Sequence, residues 1–300
     1  MNRIKGTIYV AIGAAGYGVL ATFVKIAGGE GYATASITFV QFFTGALVLF
    51  ILDLFLGSPS TRGNAKEVFQ LMASGTSLGF TGTFYYLAVK YLPVSICIIL
   101  LMQTVWMGIL LDCFRNKKAL TGKQFITILI VLEGTLLATG LTGADFQWNA
   151  KGFIFGLLAA ICYTIAMSAS SRIAVSRNVF FRSKYLVSGG LIAILIFWNI
   201  HIFDSLNFRL EWRFGLFLSL FGTILPPVLF SKGLPVVGLG WGSVLAAIEI
   251  PVSIFTAYLF LKEHISFIQI LGCICIIAGI IFHHFSFKPF IGRSKQVAKT

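Results

Sequence analysis

Eight long stretches of this 300-residue chain contain no Asp, Glu, Lys or Arg: 6–24, 31–52, 68–89, 91–111, 152–171, 185–203, 214–231 and 264–287. Two more carry a single acid, 124–144 with Glu133 and 233–261 with Glu249. A helix needs about 20 mostly apolar residues to cross a bilayer core. The spacing therefore predicts ten membrane spans. They are predicted as helices because a lipid-exposed backbone must satisfy its own hydrogen bonds. The runs are also too long, and apolar in both phases, for the roughly 10-residue alternating strands of a barrel.

Composition agrees. Hydrophobic residues make up 57% of the chain and charged residues 11%, against about 25% charged in a soluble domain. So few charges cannot cover a water-exposed surface, which argues against a soluble enzyme, a disordered chain or a nucleic-acid-binding domain. The net charge of +13 is then a matter of topology. With the N-terminus inside, 17 of the 23 Lys and Arg fall in inside segments. The positive-inside rule places both termini in the cytoplasm. Arg3 and Lys5 before the first apolar run resemble a signal peptide, but nine further spans follow, so the run is expected to be a retained first helix.

The chain also repeats itself. Ala88-Val89-Lys90-Tyr91-Leu92-Pro93-Val94 resembles Phe230-Ser231-Lys232-Gly233-Leu234-Pro235-Val236 at an offset of 142. Leu120-Thr121, Gln124 and Gly134 match Ile265-Ser266, Gln269 and Gly279 at an offset of 145, and Lys25-Ile26-Ala27 matches Arg172-Ile173-Ala174 at 147. Five spans per repeat is an odd number, so the second half must enter the membrane inverted. Inverted repeats place a solute site near the midplane and allow it to open alternately to either side. The expected division is 1–143 for the first five-helix repeat, 144–287 for the second, and 288–300 as a basic cytoplasmic tail.

On these residues the sequence resembles the drug/metabolite transporter superfamily, in particular its EamA-type ten-helix branch. The strongest likeness is Leu245-Ala246-Ala247-Ile248-Glu249-Ile250-Pro251-Val252, then Leu261-Lys262-Glu263-His264-Ile265-Ser266, Gln269, Gly272 and Gly279. In the first half, Gly16-Tyr17-Gly18 followed by Phe23-Val24-Lys25 resembles the family's first-span pattern. Tyr17 stands where the family usually has Trp, Gln41 near a common Arg, Trp106 at the counterpart of Pro251, and Arg115-Asn116-Lys117-Lys118 in place of an acidic span end. The resemblance implies a multi-pass inner-membrane secondary transporter of small metabolites, often exporting amino acids or toxic analogues. It implies a cavity between spans 1, 3, 4 and 6, 8, 9. Partners are a small-molecule solute and the lipid bilayer, with no nucleic acid; a homodimer is left open.

Glu249 is the sharpest candidate. An ionisable group at mid-span costs about 2.5–3.5 kcal/mol on insertion scales, so it is expected to face a polar cavity or a partner. Desolvation disfavours the charged form of a carboxyl, which suits a proton carrier. Its other reading is a protonated structural acid. Glu133 is the second proton-coupling candidate, set against a simple interhelical hydrogen bond. Substrate-binding candidates are Tyr17, Gln41, Tyr85, Gln103, Trp106, Tyr163 and Trp241, with Glu249: polar or aromatic groups in apolar spans that suit a planar or zwitterionic solute. With 30 Phe in the chain, ordinary packing is the alternative for each aromatic. Pro226, Pro227 and Pro251 are hinge candidates because each removes a helical donor. Lys25, Lys90, Arg172 and Lys232 lie at span ends, either snorkelling or recognising an anion. Gly75-x-x-x-Gly79, Gly238-x-x-x-Gly242 and the Ala14–Gly18–Thr22 series are expected at close helix contacts.

The five Cys and two adjacent His lack metal-ligand spacing, and no P-loop or serine-histidine-acid set is present, so no cofactor, metal or catalytic residue is expected. Three rivals remain: a transporter of anionic solutes such as phosphate esters or nucleotide-sugars, a lipid-acting membrane enzyme, and a non-transporting scaffold. The last predicts no central polar cavity.

Overall fold

The computed structural model describes residues 2–57, 63–92, 94–139, 149–199, 202, 208–262 and 264–284, and among these it contains helices and no strand. The helices are α1 (Arg3–Gly29), α2 (Thr34–Leu56), α3 (Ala65–Val89), α4 (Val94–Leu101), α5 (Thr104–Arg115), α6 (Gly122–Ala138), α7 (Ala150–Arg172), α8 (Val179–Trp198), α9 (Phe208–Ser219), α10 (Leu225–Val237), α11 (Leu239–Ala246), α12 (Glu249–Leu261) and α13 (Phe267–His284). The boundary expected near 143 and the basic tail lie outside the described residues.

Seven helical stretches are long and apolar enough to cross a membrane. The ten-span expectation leans additionally on α3, α6 and α13. All three are helical, but α6 has only 17 residues, the apolar run of α13 is similarly short, and α3 is rich in Gly, Ser and Thr. Large apolar side chains face outward, as with Ile154 and Phe255, each 57% exposed. That is the reverse of a soluble surface and suits hydrocarbon.

Local chemistry sets the helix ends. Asn64 caps α3 by accepting from the Glu67 amide at 2.8 Å, and Glu67 Oε2 accepts from the Asn64 amide in return. Thr121 and Gln124 form the same reciprocal pair on α6, and such boxes satisfy two otherwise orphaned donors.

Two helices are broken at corresponding points. A turn at residues 102–103 separates α4 from α5, and a turn at 247–248 separates α11 from α12, 145 residues apart. In the second break, Pro251 has no N–H to bond back, so the helix restarts at Glu249. No proline marks the first. There the Gln103 side chain donates to the Ile99 carbonyl at 3.0 Å, taking up an acceptor the broken ladder leaves open.

Packing is paired in the same way. α1 packs on α10, α11 and α12, and α7 packs on α3, α4 and α5. α2 packs on α9 and α3 on α8, while α6 packs mainly on α13. Small residues allow the close approaches: a Cβ on Gly75 would stand 2.1 Å from the Leu186 carbonyl oxygen, and one on Gly79 2.3 Å from that of Gly190. Gly238 serves differently from the packing role expected of it. Its φ of 84°, in the left-handed region that favours glycine, turns the chain from α10 into α11.

The largest core cluster joins Val10 and Ala14 of α1, Val105 and Ile109 of α5, Met167 of α7, and Leu234 of α10 with α11. These residues occupy one end of the bundle and seal it. The other end is hollow.

Candidate functional site

A cavity of about 460 Å³ occupies the hollow end. It reaches Gly28 of α1, Thr34 of α2, Val89 of α3, Thr139 after α6 and Leu261 of α12. Because the chain alternates direction, all these helix ends lie on one face, so the cavity opens there. Its walls are mostly apolar, with hydroxyls from Thr22, Thr34, Thr38, Thr81 and Ser253. The volume falls within the range of small-molecule sites, roughly 300–1,000 Å³.

Five of the eight substrate-site candidates line it together: Tyr17, Gln41, Tyr85, Tyr163 and Glu249. Glu249 is there because it opens α12 directly after the break, where the backbone turns the side chain inward. Its Oε2 is buried and has no hydrogen-bond partner among the described residues, and the same holds for the Tyr163 hydroxyl. Tyr86, Lys25 and His264 also line the cavity.

The deep end is aromatic. The Tyr17 ring meets Tyr163 edge-on at 5.8 Å and Phe230 at 5.9 Å. Beyond this layer lies a void of about 10 Å³, lined by Tyr17, Tyr163, Ala166, Met167, Ser170 and Pro227 among others. That is barely the size of one water, so the three rings form the closed floor.

Gln103, Trp106 and Trp241 do not line the cavity. The Trp106 indole donates to Gln103 Oε1 at 2.7 Å, so these two side chains engage each other beside the first break. Trp241 is buried at the sealed end, where it donates to Thr7 Oγ1 at 3.1 Å and stacks on His283 at 4.9 Å. Glu133 is also elsewhere. It is exposed on the outer face of α6, beside the exposed Ile126, Leu129 and Leu136.

Of the hinge candidates, Pro226 and Pro227 are buried in the first turn of α10. Two successive missing donors put the ladder out of register, and the helix widens over Leu220–Ile224, where the Leu225 amide reaches back to the Leu220 carbonyl. Such wide turns often sit at functional positions. Here Gly222 lines the cavity, and a Cβ on it would stand 2.2 Å from Gln41 Nε2. Pro251 lies just beyond the second break and is not itself in the cavity wall.

The span-end cations do not converge. Lys25 lines the cavity, but Lys90 stands over the Trp198 ring at 5.8 Å, Lys232 over Tyr9 at 4.4 Å, and Arg172 beside Asp112 at 3.7 Å.

Sequence reasoning passed over two features. Thr22 and Thr256 share a hydrogen bond of 2.7 Å between α1 and α12, at the cavity wall; the Ala14–Gly18–Thr22 series placed Thr22 at a close helix contact but gave no sign of its partner. Arg182 counted only as a loop cation, yet it is 1% exposed. Nothing in its sequence neighbourhood distinguishes it from Arg177, which is only partly buried.

The model of the EamA-like transporter family matches residues 4–140 and 150–284. The chain is 25% identical to the uncharacterized transporter YetK of Bacillus subtilis, over 80% of this chain and 75% of that one. It is 23% identical to an uncharacterized transporter of Archaeoglobus fulgidus, over 92% and 95%. A solved structure described as a crystal structure of a protein superposes with a TM-score of 0.78 at 16% identity, covering 95% of this chain and 98% of that one. At that identity the likeness shows the fold alone.

Proposed function

The chain belongs to the EamA-like transporter family, within the drug/metabolite transporter superfamily, and from that premise we propose that this multi-pass membrane transporter exports small amino-acid-like metabolites or toxic analogues by proton-coupled alternating access. The observation that carries the reading is Glu249: a buried carboxyl oxygen without a hydrogen-bond partner among the described residues, at a helix break, on the wall of a solute-sized cavity. A solute ammonium and a proton compete for that carboxyl. The tyrosines Tyr17, Tyr85 and Tyr163 hold the apolar part of the solute, and Gln41 offers a donor and an acceptor beside it.

The ten-span, two-repeat plan with both termini cytoplasmic supports alternation. The two breaks 145 residues apart, and the matched pairing of α1 with α10–α12 and α7 with α3–α5, are what an inverted repeat produces. With the Lys/Arg-rich side inside the inner membrane, the cavity mouth faces outward. The reverse state opens the aromatic floor of Tyr17, Tyr163 and Phe230 instead. The wide turn before Pro226-Pro227 absorbs part of that movement.

Non-convergence of the span-end cations weighs against the anionic-solute reading, and a solute-sized cavity whose mostly apolar walls carry hydroxyls and reach Glu249 weighs against a scaffold. The test is solute counterflow in proteoliposomes with a panel of labelled amino acids at two pH values. Saturable, pH-dependent exchange of a panel member is expected. Exchange of phosphorylated sugars but of no amino acid overturns the proposed solute class.

A further inference from the structure

The sealed end carries a second set of charges that the solute site does not use. Asp53 of α2 pairs with Lys184 at 2.5 Å, Glu67 of α3 with Arg177 at 3.0 Å, and Asp112 of α5 with Arg172 at 3.7 Å. Every acid belongs to the first half and every cation to residues 172–184, the strap that leads from the end of α7 into α8. Arg172 also donates to Asn116 Oδ1 at 2.8 Å, and Arg115 to Ser168 Oγ. The Lys184 ammonium stands over the rings of Phe50 and Tyr185 at 4.9 Å each.

Bonds within the second half are of another kind. Arg182 donates to the carbonyls of Ile173 at 2.9 Å, Ser170 at 2.5 Å, and Ser231. Pro235, four residues beyond Ser231, has no N–H, so that carbonyl lacks its helical partner and Arg182 takes its place. This clamp is buried and ties α7, α8 and α10 into one body. Two of the ion pairs that cross between halves, Glu67–Arg177 and Asp112–Arg172, are partly exposed, while Asp53–Lys184 is largely shielded. Partly exposed pairs are individually weak. The Arg182 bonds lie within one half, whereas the ion pairs of the strap cross between halves.

We propose that residues 172–184 are the latch of the sealed end: the Arg182 clamp makes the strap rigid with the second half, and the three cross-half ion pairs hold the sealed end shut until the cavity opens on that side. This rests on the alternating-access reading above.

Ser170 lines the small void between the aromatic floor and the strap, so a thiol there reports opening. The test uses the full chain with its five Cys replaced by Ala, carrying Ser170→Cys, in detergent micelles with a polar maleimide. Labelling is expected to be slow. Asp53→Asn with Glu67→Gln should raise its rate about tenfold, the effect of a shift of about 1.4 kcal/mol; Gln at 67 still completes the cap of α3. Arg177→Gln with Lys184→Gln should give the same rise, and all four together no more than either double variant, since each double variant already removes the same two ion pairs. About 1 M salt should speed labelling of the otherwise unsubstituted chain, because screening weakens exposed pairs, so the result does not hinge on a variant folding. Rates unmoved by both salt and substitution, or rises that simply add, overturn the latch. Labelling needs no solute. A silent amino-acid panel would therefore count against the transport reading alone, and working exchange with unmoved labelling against the latch alone.

Discussion

Gly18 of α1 lies directly against the backbone of Glu249: a Cβ at position 18 would stand 2.6 Å from the Glu249 carbonyl oxygen and 2.9 Å from Val252 Cβ. The absent side chain lets α1 reach the break in α12, and so brings Tyr17 and Glu249 to one cavity. Gly18→Val is expected to push the helices apart, costing about 1–3 kcal/mol as overpacking does. A lowered Tm together with reduced solute exchange is the expected outcome; an unchanged Tm would contradict the contact.

Glu249→Gln keeps the shape of the side chain and removes its proton chemistry. Insertion and Tm are expected to stay near those of the parent, while counterflow falls steeply and loses its dependence on pH. Full, pH-dependent exchange by this variant would remove Glu249 from the coupling role.

Glu133→Gln is expected to leave the rate and pH profile of exchange unchanged, because Glu133 sits on the outer face of α6. A flattened pH profile in this variant would move the coupling group to α6.

Tyr163→Phe removes a buried hydroxyl at the cavity floor that has no hydrogen-bond partner among the described residues, and should raise the solute concentration for half-maximal exchange severalfold with little change in Tm. Trp241→Phe should do the reverse, since its indole is bonded to Thr7 far from the cavity. Tm and the half-saturation concentration, measured side by side, separate the two.

Arg182→Gln strands the carbonyls of Ser170, Ile173 and Ser231. A loss of about 3 kcal/mol is expected, the scale of breaking a buried charged network. Arg182→Lys should recover little of it, because one ammonium cannot span three acceptors held by a planar fork. Thermal unfolding of the two variants checks both statements.

The helices and the unusual placement of Glu249 were legible in the chain because lipid imposes a plain rule: a charge inside an apolar run needs a reason. The break at 102–103 was not legible: it lies 145 residues before the break at 247–248, but only the second is followed by a proline, and Trp106 stands at the counterpart of Pro251. Gln103 and Trp106 illustrate the limit. Both are polar enough to attract notice in an apolar span, but the direction of a side chain depends on the local turn, and here that turn points them at each other.

Sequence alone determined the all-helical, membrane-bound character of this protein, through the length and spacing of its charge-free runs. It also placed the one acid worth most attention. Tertiary structure decided which helix faces meet. It separated Glu249 from Glu133, and Tyr163 from Trp241, although composition and local pattern treat each pair alike. It also buried Arg182 while leaving Arg177 at the surface. The physical reason is that insertion energy depends on what each residue is, whereas a cavity depends on which backbones approach closely enough to close one end of the bundle and leave the other open.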